Sequence, residues 1–154
     1  MWYNSIIEWL LKSPMHGVVS KNMMLVSYTG RKSGREYATP VNYWQVNDGD
    51  EGILLTTSKS ERVWWRNLRC DRPVVLQLRG ISMNALGTVV EEFNEKERLF
   101  GVLFTQNPGI GRYFKVALDD NNQPINEDVE RTAADTVLVK FMPADSKFLD
   151  TTFE

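Results

Sequence analysis

Between Met23 and Val90, short apolar runs alternate with turn-forming clusters so closely that no helical crossover fits between them. Parallel strands need a connection of about a dozen residues or more, so runs this close pair as antiparallel neighbours. Met23 to Tyr28 reads as a strand that enters the polar turn Thr29-Gly30-Arg31-Lys32-Ser33-Gly34-Arg35, and Thr39 to Val46 reads as its return strand. Asn47-Asp48-Gly49-Asp50 is a hairpin signal, because Asn, Asp and Gly tolerate the backbone angles that tight turns require. Gly52 to Thr57, Val74 to Leu78, Leu86 to Val90 and Val137 to Phe141 read as further strands, with Arg79-Gly80-Ile81 joining two of them. The expected fold is mainly β with α additions, a closed barrel rather than a Rossmann sheet, in one domain over residues 1–154.

The α additions carry their own signals. Trp2, Ile6, Trp9 and Leu10 fall at helical spacing and Ser13-Pro14 ends that run, so residues 1–20 are expected to form a helical segment packed on the barrel. Glu61 to Arg69 reads as a short helix capped by Ser60, and Glu95 to Gln106 as a longer one capped by Asn94. Asn107-Pro108-Gly109 reads as a loop, Tyr113 to Leu118 as a short helix or a strand, and residues 127–133 as weakly helical.

Several kinds of chemistry are excluded by what the chain lacks. His16 is its one histidine, which rules out multi-histidine metal sites and leaves little for a Ser-His-Asp or Cys-His centre, so no metal is expected. Asp119, Asn121, Gln123, Glu127 and Glu130 sit near EF-hand ligand positions, but Pro124 occupies the sharp-turn position that needs glycine. A hairpin turn with solvated acids is the better reading. Gly109-Ile110-Gly111 lacks the third glycine of a dinucleotide fingerprint and follows no convincing strand. Cys70 stands alone, so no internal disulfide forms and a reducing cytoplasm fits best. No apolar run approaches the ~18 residues of a transmembrane helix, and the N-terminus, lacking a positive stretch and containing Glu8, is a poor signal peptide. Peripheral membrane contact by the first helix competes with packing, and Glu8 and Lys12 are too few charges for a membrane-surface helix.

Charge is distributed unevenly. Residues 1–90 carry eleven Lys/Arg against seven Asp/Glu, whereas residues 91–154 carry seven against thirteen. The basic part either meets an anionic partner or presents a solvated face. A net charge of −2 argues against nucleic acid, whose backbone demands a stronger basic balance.

Within the basic part, two polar turns follow strands. Gly30 to Arg35 combines glycines, which let backbone N–H groups face a ligand, with the cations Arg31, Lys32 and Arg35 and the hydroxyl of Ser33. Thr57-Ser58-Lys59-Ser60 brings hydroxyls and amides to the expected start of a helix that carries Trp64 and Trp65. Each element has a plain alternative, a solvated turn in one case and core tryptophans in the other. Together they supply what a cofactor joining a flat ring system to a phosphate needs.

Met24-Leu25-Val26-Ser27-Tyr28-Thr29-Gly30-Arg31-Lys32-Ser33-Gly34, then Thr39-Pro40-Val41-Asn42-Tyr43, Leu55-Thr56-Thr57-Ser58-Lys59 and Trp64-Trp65-Arg66-Asn67-Leu68 resemble the deazaflavin-dependent nitroreductase family. The resemblance runs from about Leu11 to Val90 and less clearly through Tyr113-Phe114 and Asp135 to Val139. It implies a split β-barrel of the FMN-binding, pyridoxamine-oxidase-like kind and an oxidoreductase that uses the reduced deazaflavin coenzyme F420. The expected reaction is hydride transfer to a small apolar electrophile such as a quinone, enone or nitro compound. By position, Arg31, Lys32 and Arg35 would hold the coenzyme's phosphate and tail, Thr57, Ser58 and Lys59 its phosphate and ring edge, and Trp64 would wall its ring. Ser33, Thr39, Pro40, Trp65 and Asn67 lie in the same blocks, and Tyr113 is the nearest candidate for a tyrosine at the substrate face. Where relatives carry Tyr-His and a glycine-rich stretch, this chain has Trp65-Arg66 and Ser60-Glu61-Arg62, a bulkier and more charged lip. The alternatives are an FMN-using enzyme of the same fold and a non-catalytic binder of lipid, haem or flavin. Such proteins act as monomers or homodimers.

Overall fold

The computed structural model describes residues 23–78 and 80–144; the helix expected over residues 1–20 lies outside them. Seven strands run in the order β1 (Met23–Thr29), β2 (Glu36–Asn42), β3 (Trp44–Asp48), β4 (Glu51–Ser58), β5 (Arg72–Leu78), β6 (Ile81–Val89) and β7 (Val137–Pro143). A five-residue 3-10 helix, Trp64–Leu68, follows β4. Three α-helices, α1 (Phe93–Gln106), α2 (Pro108–Tyr113) and α3 (Asn126–Asp135), separate β6 from β7. All ladders between these strands are antiparallel, and their order across the sheet is β2-β1-β5-β6-β7-β4-β3.

The two edge strands of that sheet, β2 and β3, are consecutive in the chain and separated by Tyr43 alone. A sheet whose opposite edges are one residue apart must curl until those edges meet. The result is a split β-barrel, mainly β with α additions, as expected from the sequence. No ladder joins β2 to β3, so the barrel is closed by chain continuity rather than by hydrogen bonds. Pro40 sits in β2, an edge strand, where a missing backbone N–H is tolerated.

The sequence reading needs corrections here: the strand read from Leu86 already begins at Ile81, Tyr113 to Leu118 holds only the last residue of α2 and an isolated bridge at Leu118, and four further points differ. Thr39 to Val46 is not one return strand: it breaks at Tyr43, its first half pairing with β1 and its second with β4. Ser60 does not cap a helix; its hydroxyl donates to Glu61, and the tryptophans lie on a short 3-10 turn that begins at Trp64. The cap of α1 is Glu92, whose carboxylate accepts from the backbone N–H groups of Asn94 and Glu95 at 3.1 and 2.7 Å, so Asn94 is already inside the first turn. Asn107-Pro108-Gly109 opens α2 rather than forming a loop, with Pro108 at a position where its missing N–H costs no helical bond.

Among the described residues, two apolar clusters form the core. Inside the barrel, Met24, Val26, Leu54, Leu68, Leu76, Val139 and Phe141 pack together. Outside β4 and β7, Ile53, Leu55 and Leu138 are covered by Leu99, Phe100, Leu103 and Phe104 of α1 and by Val129 and Ala133 of α3. β4 is therefore buried on both faces, which is why Ile53-Leu54-Leu55 is a continuous apolar run instead of an alternation. α1 is tied to the β3–β4 hairpin twice. Arg98 donates to Asp48 at 2.8 and 2.9 Å, and the Gln106 amide exchanges two hydrogen bonds with the Asn47 backbone. The expected turn over Asp119 to Pro124 is present, its Asp119 carboxylate accepting from the N–H groups of Asn121 and Gln123.

Candidate functional site

Where β2 and β3 part, the barrel leaves a cleft of about 480 Å3. Thr39, Pro40, Val41 and Asn42 line it from β2, Trp44 from β3, and Thr57 and Ser58 from the end of β4. Lys59, Arg62 and Trp64 follow on the next segment, and Tyr113, Phe114, Asp135 and Thr136 close the far side. Of the residues singled out from the sequence, Thr39, Pro40, Thr57, Ser58, Lys59, Trp64 and Tyr113 are thus brought to one cavity. Among the described residues, the side chains of Lys59 and Arg62 form no ion pair. Two solvent-facing cations beside hydroxyls and an indole face make a place for an anion attached to a flat ring.

The wall of this cleft is held by its tryptophans. Trp64 is nearly buried, and its indole N–H donates to Ser58 Oγ at 3.1 Å. Ser58 spends only acceptor capacity there, so its hydroxyl hydrogen stays available to a ligand. Trp65 does not line the cleft. Its indole N–H donates to the Lys59 carbonyl at 3.1 Å, while the guanidinium groups of Arg66 and Arg69 lie 5.4 and 5.6 Å from the ring centroid. Trp64 thus fixes the Ser58 side chain and Trp65 the backbone at Lys59, and Trp64 also presents a surface to the cleft.

Arg31, Lys32, Ser33 and Arg35 lie on the exposed turn between β1 and β2 and do not line the cleft. Asn67 connects that turn to the 3-10 helix: its Oδ1 accepts from the Arg31 N–H at 2.9 Å and its Nδ2 donates to the Trp64 carbonyl at 3.0 Å. The two blocks that stood out in the sequence, 36 residues apart, are thus physically joined. The turn itself is closed by the Gly30 N–H donating to the Arg35 carbonyl at 2.7 Å. A Cβ on Gly30 would stand 2.7 Å from the Tyr37 ring and 2.9 Å from Ser33 Oγ, so a larger residue would force both side chains to shift. Ser33 is occupied locally, with Oγ 3.2 Å from Tyr37 Oη and accepting from the Arg35 N–H.

Tyr113 ends α2 and is 74% exposed at the mouth of the cleft. Its neighbour Phe114 is the anchor, meeting Trp44 edge-on at 5.8 Å and packing near Phe100 and Phe104. Sequence reasoning did not select Asn42, Trp44, Phe114, Asp135 or Thr136 for the site. Trp44 had a usable signal in the Tyr43-Trp44 pair, where an uninterrupted strand would have to put large rings on both faces. Asp135 opened a segment where the family resemblance continues less clearly, but nothing there marked it as a site residue, because the helix that delivers it is distant in sequence from the basic blocks.

The sequence profile of the F420H(2)-dependent quinone reductase family matches residues 13–119 of the chain. The chain belongs to that family. Its cofactor is accordingly the deazaflavin F420, and the family's activity is that of an oxidoreductase. No curated protein matches the chain by sequence. Among solved structures it is similar to an F420-H2 dependent reductase (FDR-A), at 16% identity over 77% of this chain and 93% of the other, with a TM-score of 0.40. It is also similar to a general stress protein 26-related protein of the pyridoxinephosphate oxidase family from Clostridium acetobutylicum, at 13% identity over 88% and 84% of the two chains, TM-score 0.48. General Stress Protein 26 from Bacillus anthracis is 11% identical over 93% and 90%, TM-score 0.40. Likenesses this distant say nothing of the site.

The residues present suit the family's coenzyme. The cleft offers an aromatic wall, five hydroxyl-bearing residues in Thr39, Thr57, Ser58, Tyr113 and Thr136, and two cations without an ion pair among the described residues, with a further basic turn tied alongside. No described helix is long and apolar enough to cross a membrane.

Proposed function

We propose that this protein binds reduced F420 in the cleft between β2 and β3 and reduces a small apolar electrophile, a quinone before an enone or a nitro compound. The observation that carries this is the meeting of Trp64, Ser58, Lys59 and Arg62 in one cavity of about 480 Å3, in a chain of a deazaflavin-dependent family. Lys59 and Arg62 take the coenzyme's phosphate, Thr57 and Ser58 donate to phosphate and ring edge, and Trp64 walls the ring. Thr39 and Pro40 form the opposing wall. The exposed cations Arg31, Lys32 and Arg35 receive the acidic tail, with Ser33 shaping their turn. Asn67 and Trp65 position these groups from behind, since their polar atoms bond within the protein.

When bound, the reduced coenzyme supplies a hydride; the quinone takes that hydride and one proton to become the hydroquinone. The protein's part is to orient the two partners, exclude water and let a proton reach the substrate oxygen. In this reading Tyr113, exposed at the mouth, donates that proton and recovers it from solvent. Chemistry of this kind needs neither histidine nor a reactive cysteine in the site, and the free, exposed Cys70 suits a reducing cytoplasm.

The test is a titration of intrinsic tryptophan fluorescence with F420 and, in parallel, FMN. Saturable quenching by F420 is expected, weakened at least tenfold (about 1.4 kcal/mol) in a Lys59→Ala/Arg62→Ala variant and less in Arg31→Ala/Lys32→Ala. Quenching by FMN alone would replace the coenzyme in this reading, and no response to either would end it.

A further inference from the structure

Past Tyr113 and Phe114 the cleft continues into a second hollow of about 480 Å3, lined by Lys115, Arg131 and Thr132. Four residues wall both spaces: Tyr113, Phe114, Asp135 and Thr136. Asp135 is the one of the four that is charged near neutral pH. Its carboxylate is exposed and has no ion pair or hydrogen bond among the described residues.

Its position runs against local physics. Asp135 is the last residue of α3, where unsatisfied carbonyls already make the helix end negative and a cation would be favoured. No basic residue offsets it in that last turn. A residue that breaks a local rule without local compensation belongs, as a rule, to a working surface.

The surrounding charges give it a direction. Lys59 and Arg62 face the first hollow only, and Lys115 and Arg131 the second only. Arg131 is committed, donating through Nη1 to Asp128 at 3.0 Å and through Nη2 to the Lys115 carbonyl at 2.6 Å. Potential is therefore lowest at the carboxylate where the hollows join, with Lys59 and Arg62 on one side and Lys115 on the other. The coenzyme's phosphate would be drawn to Lys59 and Arg62 at the first end, leaving the junction to the substrate.

Resting on the proposed function above, we infer that Asp135 determines substrate charge: it admits neutral or cationic electrophiles to the junction and rejects anionic ones. It touches no reacting atom in this reading and acts through its field. A unit charge several ångströms away in a partly wet cleft changes binding by about fivefold, and salt weakens the effect.

The experiment compares a naphthoquinone with its ring monosulfonate. Binding of each is read by tryptophan fluorescence, and reduction of each by the F420-loaded enzyme as kcat/KM. The preference for the neutral quinone is expected to shrink about fivefold in Asp135→Asn and further in Asp135→Lys, in both readouts. It should persist in Asp135→Glu and grow in Lys115→Gln, which removes a cation from the second hollow. Taking each ratio relative to wild type cancels the intrinsic reactivity of the two quinones. Unchanged ratios in Asp135→Asn and Asp135→Lys, with F420 binding intact, would overturn the inference. A wild-type protein that binds no F420 and reduces neither quinone would overturn the reading beneath it, and the inference with it.

Discussion

Thr56 lies at the middle of the molecule, fully buried in β4, with no hydrogen-bond partner for its hydroxyl among the described residues. A buried, unsatisfied hydroxyl is destabilising, and a methyl group of the same shape is not. Thr56→Val is therefore expected to raise stability by about 1 kcal/mol, read as a higher urea midpoint with an unchanged slope. Asn67 is the opposite case, a partly buried side chain with a partner at each end of its amide. Asn67→Ala should cost about 1–2 kcal/mol by the same measurement and weaken F420 binding, because Arg31 and the Trp64 backbone lose their common tie. At this scale the sequence was informative wherever function rests on contiguous blocks: glycines, cations, hydroxyls and tryptophans stood together along the chain. It touched Asp135 only as the start of a fainter stretch of resemblance and gave it no role, since Asp135 reaches the cleft through the packing of α3 against α1.

Elements were legible in type more than in boundary. The strands and the hairpin at Gly49 could be read because turn chemistry is local, and Gly49 does adopt a positive φ of 64°. The break at Tyr43 could not, since both of its sides favour strand and the decision belongs to two different partners, β1 and β4. The cap of α1 was misplaced by two residues because Glu92 and Asn94 both offer an acceptor, and only backbone angles decide between them. Pro108 was a helix start signal that reads equally well as loop punctuation. The same helix–hairpin junction sets a pH dependence. Hydrogen bonds from Arg98 hold the carboxyl groups of Asp48 and Glu95 below the usual carboxylate range. With folded pKa values lowered, the unfolded chain binds more protons near pH 4, so this stabilisation is whole above that range and lost as pH falls through the folded values. The urea midpoint should therefore drop between about pH 5 and pH 3, and Arg98→Met should flatten that limb.

Across the whole molecule, the uneven charge of the sequence acquires a place. The basic part supplies β1 to β6 and the cations of the cleft, and the acidic part supplies the helices that cover the outer face of β4 and β7. A charge count alone could not say that the two parts meet at one site. The expectation of a barrel followed from strand spacing and its split from the family resemblance, whereas closure through Tyr43, a property of pairing order, could be read from neither. That closure has a mechanical consequence. A seam fastened at a single residue is compliant: its lips can part at the far end without breaking one rung of any ladder, so the resistance to a ligand entering comes from side chains alone. The protein thus has a mouth that can yield while its frame stays rigid.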